Sequence, residues 1–280
     1  MSKVKTTPLK GNGKVFIVGA GPGDEELLTV KALRIIQSCD VILYDKLVSR
    51  EIQALFPKGT KRFFVGKSKD KHSVPQNQLN QLLVTLAKKG LSVCRLKGGD
   101  PFIFGRGSEE LTTIHQSGIK AEVVPGITAA SGCSSYAGIP LTHRGLSQGC
   151  TFITGHAEKS LDINWLSLAK LKQTLVFYMG LSQLSNIRQR LTENGLSAET
   201  PAALIENGCR QSQRVFCATL ADLEELANQH QLKSPTLIVI GEVVSLKEQL
   251  EWFETSAIQQ SMNTDLGFPQ VESTSKRLAS

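Results

Sequence analysis

The stretch KVFIVGAGPGDEELLT, residues 14–29, constrains this chain more than any other. Its unbroken apolar run reads as a strand buried on both faces, and such strands sit in parallel sheets covered by helices. Gly19 and Gly21 then turn the chain into residues 25–38, where Leu27, Leu28, Val30, Ala32, Leu33, Ile35 and Ile36 recur at helical spacing. A strand feeding a helix through a glycine turn is the unit of an α/β layer fold.

The unit repeats. DVILYD (40–45) and KRFFVGK (61–67) read as strands with a short helix between them. Residues 75–89 read as a helix with Pro75 in its first turn and Gly90 as its stop. LSVCRLKGGDPFIFGRG is a strand running into a second glycine-rich loop, followed by a helix over 107–117 and the strand KAEVVPG. Residues 127–149 are small, glycine-rich and only partly helical. They predict a linker between an N-terminal α/β domain at 14–126 and a C-terminal α/β domain at 150–245. In that second half CTFITG, TLVFYMG, TPAALIENG and PTLIVIGEVV read as strands, and helices fall near 181–193 and 220–230. The alternation in QRVFCATL predicts an antiparallel strand. Residues 246–280 form a tail with one amphipathic helix, the rest expected to be disordered.

The glycine turn poses the ligand question. A dinucleotide fingerprint wants a third glycine where this chain has Asp24. Pro22 removes a backbone N–H that a pyrophosphate would use. The loop therefore favours a neutral or cationic ligand, with Asp24 also reading simply as a helix cap. Asp45, at the end of the second strand, stands where a dinucleotide enzyme keeps its ribose-binding acid, and is equally a turn cap. The second loop, KGGDPFIFGRG (97–107), decides against a dinucleotide, which has no need of it. Gly98 and Gly99 admit a ligand close to the backbone, Asp100 offers a carboxylate, and Arg106 is a cation at a helix start, where the dipole disfavours it.

The formal net charge of +7 suits an anionic small substrate as well as nucleic acid, but aromatics are only 6% and do not interleave with basic residues, which argues against RNA. Six cysteines form no C-x-x-C pair, and the five histidines are scattered, so no metal site is expected. No signal peptide is legible, and no apolar run approaches the roughly 18 residues of a spanning helix. A cytoplasmic protein, away from membranes and with inert thiols, is the expectation.

The motifs VGAGPGD, YDKLVS, GKS, RLKGGDPFIFGRG, VVPGITAA, GIPLTHR, YMG, TPAALIENG and PTLIVIGEVV occur in that order over about 14–244. Together they resemble the tetrapyrrole methylase family, and within it the branch acting on uroporphyrinogen III. The resemblance implies two α/β domains with the active site in the cleft between them, and a homodimer. It implies S-adenosyl-L-methionine as methyl donor, S-adenosyl-L-homocysteine as product, and C-methylation of uroporphyrinogen III to precorrin-2 via precorrin-1, in sirohaem or cobalamin biosynthesis. The alternative is a tetrapyrrole methylase acting on a different precorrin. By motif, the donor site would use Pro22, Gly98, Gly99, Asp100, Ile103, Thr128, Ala129, Met179 and Gly208. Asp45 and Lys67 would handle protons, and Arg95 and Arg106 would meet the substrate. Some 13 residues precede the first strand, which leads to the expectation of methylation alone, without a fused dehydrogenase and ferrochelatase module.

The residue types suit that chemistry. Attack by an electron-rich pyrrole carbon leaves positive charge that a carboxylate can relieve by taking a proton. Recognition of a ring bearing many carboxylates needs several cations, and Arg95, Lys97, Arg106, Arg144 and Arg210 all fall in or beside loops expected at the cleft. Met179, following an apolar strand, reads as core packing.

Overall fold

The computed structural model describes residues 13–66, 75–155 and 163–254. In the N-terminal half, β1 (Lys14–Gly19), β2 (Val41–Tyr44), β3 (Lys61–Phe64), β4 (Val93–Lys97) and β5 (Lys120–Val124) form one sheet in the order β3-β2-β4-β1-β5. All its pairings are parallel. The crossovers carry α1 (Val30–Ser38), α2 (Arg50–Ala54), α3 (Gln76–Lys88) and α4 (Gly107–Gln116). One face packs Ile35, Ile36, Ile52 and Phe56 against Ile42 and Leu96; the other packs Leu79, Leu83 and Ile114 against Ile17 and Leu43. Burial on both faces is why these strands read as unbroken apolar runs.

α5 (Ala129–Tyr136) leads to the second sheet, built from β6 (Cys150–Thr154), β7 (Thr174–Tyr178), β8 (Pro201–Glu206), β9 (Arg214–Thr219) and β10 (Thr236–Ile240), with the order β6-β7-β10-β8-β9. β6 and β7 are parallel, and the remaining pairs are antiparallel, including β9 as its alternation predicts. α6 (Trp165–Lys170), α7 (Leu184–Glu193) and α8 (Leu223–Gln229) complete this half, and α9 (Lys247–Leu250) follows it. α5 lies inside the expected linker but packs Ala130, Cys133 and Ala137 among Val176, Ala203, Ile205 and Val239 of the second sheet. Trp252 donates to Ser135 O at 2.8 Å, tying the chain after α9 to the same helix. Among the described residues, no helix is long and apolar enough to cross a membrane.

Two local readings change. The helix expected over 25–38 is two pieces, a 3₁₀ turn at Glu25–Leu27 and α1, with Leu28 and Thr29 extended between them. Asp24 accepts from Glu26 N at 2.8 Å and Thr29 from Ala32 N at 3.1 Å. Each side chain starts its own helix, and the apolar spacing carries no trace of the second cap. Pro75 sits just outside α3, at its N-cap, rather than in its first turn. The disorder expected over 263–280 lies outside the described residues.

One charge pair, a buried carboxylate met by an exposed arginine, anchors the second sheet. Glu206 ends β8 and accepts from Arg214 Nε at 2.6 Å and Lys233 N at 2.6 Å. Burial pushes its carboxyl up, but Arg214 and the Lys233 N–H together outweigh this and hold it below the usual carboxylate range. A depressed folded value means the stabilisation is complete above the unfolded value of about 4.3 and is lost as pH falls through the folded one. Glu206→Gln is therefore expected to cost about 1–3 kcal/mol at neutral pH. The gap to wild type should close progressively below about pH 4 in urea titrations.

Candidate functional site

The carboxyl ends of β1, β2, β4 and β5 lie along one edge of the first sheet, because these strands are parallel. Strand order places β1 beside β4, yet the chain leaves β1 toward β2 and leaves β4 toward β5, on opposite sides. Open α/β sheets bind ligands in the crevice at such a switch point. Here the two glycine-rich loops meet in it: Gly99 N donates to Gly21 O at 2.7 Å, and Gly21 N to Gly99 O at 3.2 Å. Gly99 has φ +68°, and a Cβ there would meet only Ala129 N, at 3.9 Å. The turn thus needs glycine for its backbone and leaves its open side toward the cleft.

The second sheet supplies the facing wall through Tyr178 at the end of β7, Met179 after it, and Asn207, Gly208 and Arg210 after β8. Together they enclose a cleft of about 830 Å³. Phe104, Arg106, Met179 and Asn207 all line it with φ of 51, 57, 54 and 50°. Left-handed backbone at non-glycine residues costs free energy and concentrates at functional sites. Phe104 of the first half packs on Tyr178 of the second at 4.9 Å between centroids. Arg210 also crosses between halves, donating to Leu47 O at 2.8 Å, while its Nε is buried without a hydrogen-bond partner.

Of the residues singled out in the sequence, Pro22, Asp45, Arg95, Gly98, Gly99, Asp100, Ile103, Arg106, Thr128, Ala129, Met179 and Gly208 all line this cleft. Lys67 lies outside the described residues. The carboxylate of Asp100 is taken up locally: one oxygen accepts from Phe102 N at 2.8 Å and the other from Gly126 N at 3.0 Å. It shapes its loop and ties it to the chain after β5. Thr128 Oγ1 lies 2.6 Å from the Tyr178 hydroxyl, which accepts from Ala130 N at 2.9 Å. Tyr178 therefore caps α5 across the cleft, and burial pushes its hydroxyl up from its ordinary range. Asp24 caps its own turn and accepts from the Tyr136 hydroxyl at 2.7 Å.

The charges are paired. Arg106 chelates Glu109 through two contacts of 2.7 Å, so its place at a helix start is balanced locally. Asp45 accepts from Leu47 N at 3.1 Å and faces Arg95 at 3.5 Å. Arg95 and Lys97 side chains are buried against Glu110 of α4, at 3.2 and 2.9 Å.

Two expectations fail. Arg144 does not line the cleft: it sits exposed on the turn that His143 and Ser147 close through backbone bonds of 2.8 and 3.0 Å. Met179 is not core. It is 52% exposed, because the left-handed residue after β7 turns it out of the sheet. Sequence reasoning also missed Tyr178, Gln76 and Glu110. Tyr178 stands next to the flagged Met179. Glu110 had a legible signal, since it shares the buried stripe of α4 with Gly107 and Ile114, where a carboxylate needs a partner. Among the described residues no cluster could hold a metal ion.

The family model of the tetrapyrrole (corrin/porphyrin) methylases matches residues 14–224. A curated relative, the siroheme synthase of Pseudomonas fluorescens, is 53% identical over 260 residues, covering 92% of this chain and 56% of that protein. The chain thus spans about half the length of the curated relatives it matches. The crystal structure of uroporphyrin-III-C-methyltransferase from Thermus thermophilus is 40% identical, with a TM-score of 0.73, covering 86% of this chain and 98% of that one. A further Thermus thermophilus structure of this enzyme, in complex with S-adenyl homocysteine, is 36% identical with a TM-score of 0.71, covering 83% and 93%. This chain belongs to the tetrapyrrole methylases.

Proposed function

We propose that this chain is a methyltransferase that uses S-adenosylmethionine to methylate uroporphyrinogen III on carbon, giving precorrin-2 by way of precorrin-1 for sirohaem or cobalamin synthesis. The observation that carries this reading is the convergence, in one cleft between two α/β lobes, of every described residue that the resemblance assigns to donor binding, proton handling or substrate contact. The Thermus thermophilus complex with S-adenyl homocysteine supports the donor.

The residues fit such a donor. The turn at Gly99 leaves its open side toward the cleft, no pyrophosphate-type glycine fingerprint is present, and the walls mix apolar and polar groups. Pro22, Gly98, Gly99, Asp100, Ile103, Thr128, Ala129, Met179 and Gly208 would hold it. When bound, it supplies a methyl group on a positively charged sulfur. The protein's task is alignment, which is worth up to roughly 7–11 kcal/mol in such displacements. Asp45 takes the proton whose loss, from elsewhere in the ring system than the methylated carbon, discharges the positive charge left by attack. Lys67 is the second proton-handling group, on the motif alone. Arg95 and Arg106 meet ring carboxylates. The lobes correspond to domains at 14–126 and 150–245 joined by 127–149. A cytoplasmic location and a homodimer complete the reading, the homodimer supported by the exposed Phe63 and Phe64 on edge strand β3.

The test is anaerobic incubation with uroporphyrinogen III and labelled S-adenosylmethionine, followed by mass analysis. A doubly methylated, labelled product is expected. Unmodified macrocycle, with the donor intact, overturns the proposal.

A further inference from the structure

Glu110 is fully buried on α4, and one of its oxygens, Oε1, accepts from Lys97 Nζ at 2.9 Å, Arg95 Nε at 3.2 Å and Gln76 Nε2 at 3.2 Å. Its other oxygen is buried with no hydrogen-bond partner. Lys97 and Arg95 are two residues apart on β4, so both point to the same face. Two cations buried side by side are costly without a counter-charge, and a carboxylate left half-satisfied is costly too. A merely structural pair would have no reason to keep two like charges at the wall of an open cleft.

The donors left over show what the arrangement offers. Arg95 is pinned on three sides, by Glu110, by Leu96 O at 2.9 Å and by Asp45 at 3.5 Å. Lys97 lines the cleft, and Glu110 takes only one of its three N–H donors. We propose that Glu110 is a positioning residue that holds Lys97 charged and aimed, so that Lys97 binds a carboxylate of the anionic macrocycle beside Arg95. This rests on the function proposed above.

The charged groups facing Lys97 are Arg95 on its own strand, Asp45 at the end of β2, and Glu110 and Glu109 on α4. Burial and Arg95 lower the Lys97 pKa, while Glu110 and Asp45 raise it. Glu110→Gln keeps the shape and one acceptor but removes the nearest raising charge. The lysine then loses its proton at lower pH than in wild type, so affinity for an anionic ring falls as pH rises.

The probe is uroporphyrin III, the oxidised ring, with its dissociation constant read by fluorescence quenching at about pH 6.5 and pH 8.5. Wild type is expected to vary less than about threefold. Glu110→Gln should bind about tenfold more weakly at the higher pH than at the lower. Glu110→Gln combined with Lys97→Met should bind weakly and without pH dependence, and it has no unpaired lysine to destabilise it if the single variant does not fold. A Glu110→Gln curve parallel to wild type, or a double variant that keeps the pH dependence, overturns the proposal. Wild type that binds the ring but transfers no methyl group removes the functional reading alone. A flat Glu110→Gln curve in a protein whose wild type is active removes only this one.

Discussion

Asp45→Asn is expected to lower kcat for methyl transfer by about 10²–10⁴-fold, the usual contribution of a positioned general base. The substitution isolates charge and basicity from shape. Asp45 Oδ1 accepts from Leu47 N at 3.1 Å, and an asparagine oxygen can accept the same bond. Arg95 loses a contact of 3.5 Å but keeps Glu110 and Leu96 O, so the wall of the cleft stays in place. Affinity for S-adenosylhomocysteine, measured by calorimetry, should stay within a few-fold of wild type. A variant that still turns over within about threefold would remove Asp45 from the chemistry. Loss of cofactor binding in parallel with turnover would make its role structural.

Much of the fold is legible in the sequence because parallel strands buried on both faces leave unbroken apolar runs, as VFIV and VILY do in β1 and β2. Helix starts are less legible. The pause at Leu28 and Thr29 depends on one hydroxyl capturing Ala32 N, a choice that apolar periodicity does not record. The cleft divides along the same line. Gly99 announces itself because its turn tolerates little else, and Asp45 because it ends a strand. Tyr178 acts on Ala130, 48 residues away, a pairing that exists only once the chain is folded, whereas the burial of Glu110 was legible on its helix stripe and only its partners on β4 were not. Met179 and Arg144 were misread for a related reason. Both positions are set by the backbone of a turn, left-handed at Met179 and closed by His143 and Ser147 around Arg144.

Gly208→Ala should weaken S-adenosylhomocysteine binding by about tenfold to a hundredfold, the second large effect. Gly208 lines the cleft opposite the glycine loops, between Asn207 and Cys209, both left-handed with φ of 50 and 59°. A Cβ at Gly208 would lie 2.4 Å from Cys133 Sγ and 2.6 Å from Cys133 Cβ on α5. No real contact is that short, so either the turn after β8 or α5 must move. Overpacking of this kind costs about 1–3 kcal/mol. α5 starts at Ala129, a cleft residue between Thr128 and Ala130, both of which bond the Tyr178 hydroxyl, so its displacement carries one wall of the donor site with it. Cys133→Gly in the same chain removes both offending atoms and leaves only Cα, at 3.2 Å. The double variant should recover most of the lost affinity, less whatever the helical glycine costs, roughly 1 kcal/mol of stability. Calorimetry on the two single variants and the double closes the cycle. If the double variant binds no better than Gly208→Ala, the clash with α5 is not what closes the site.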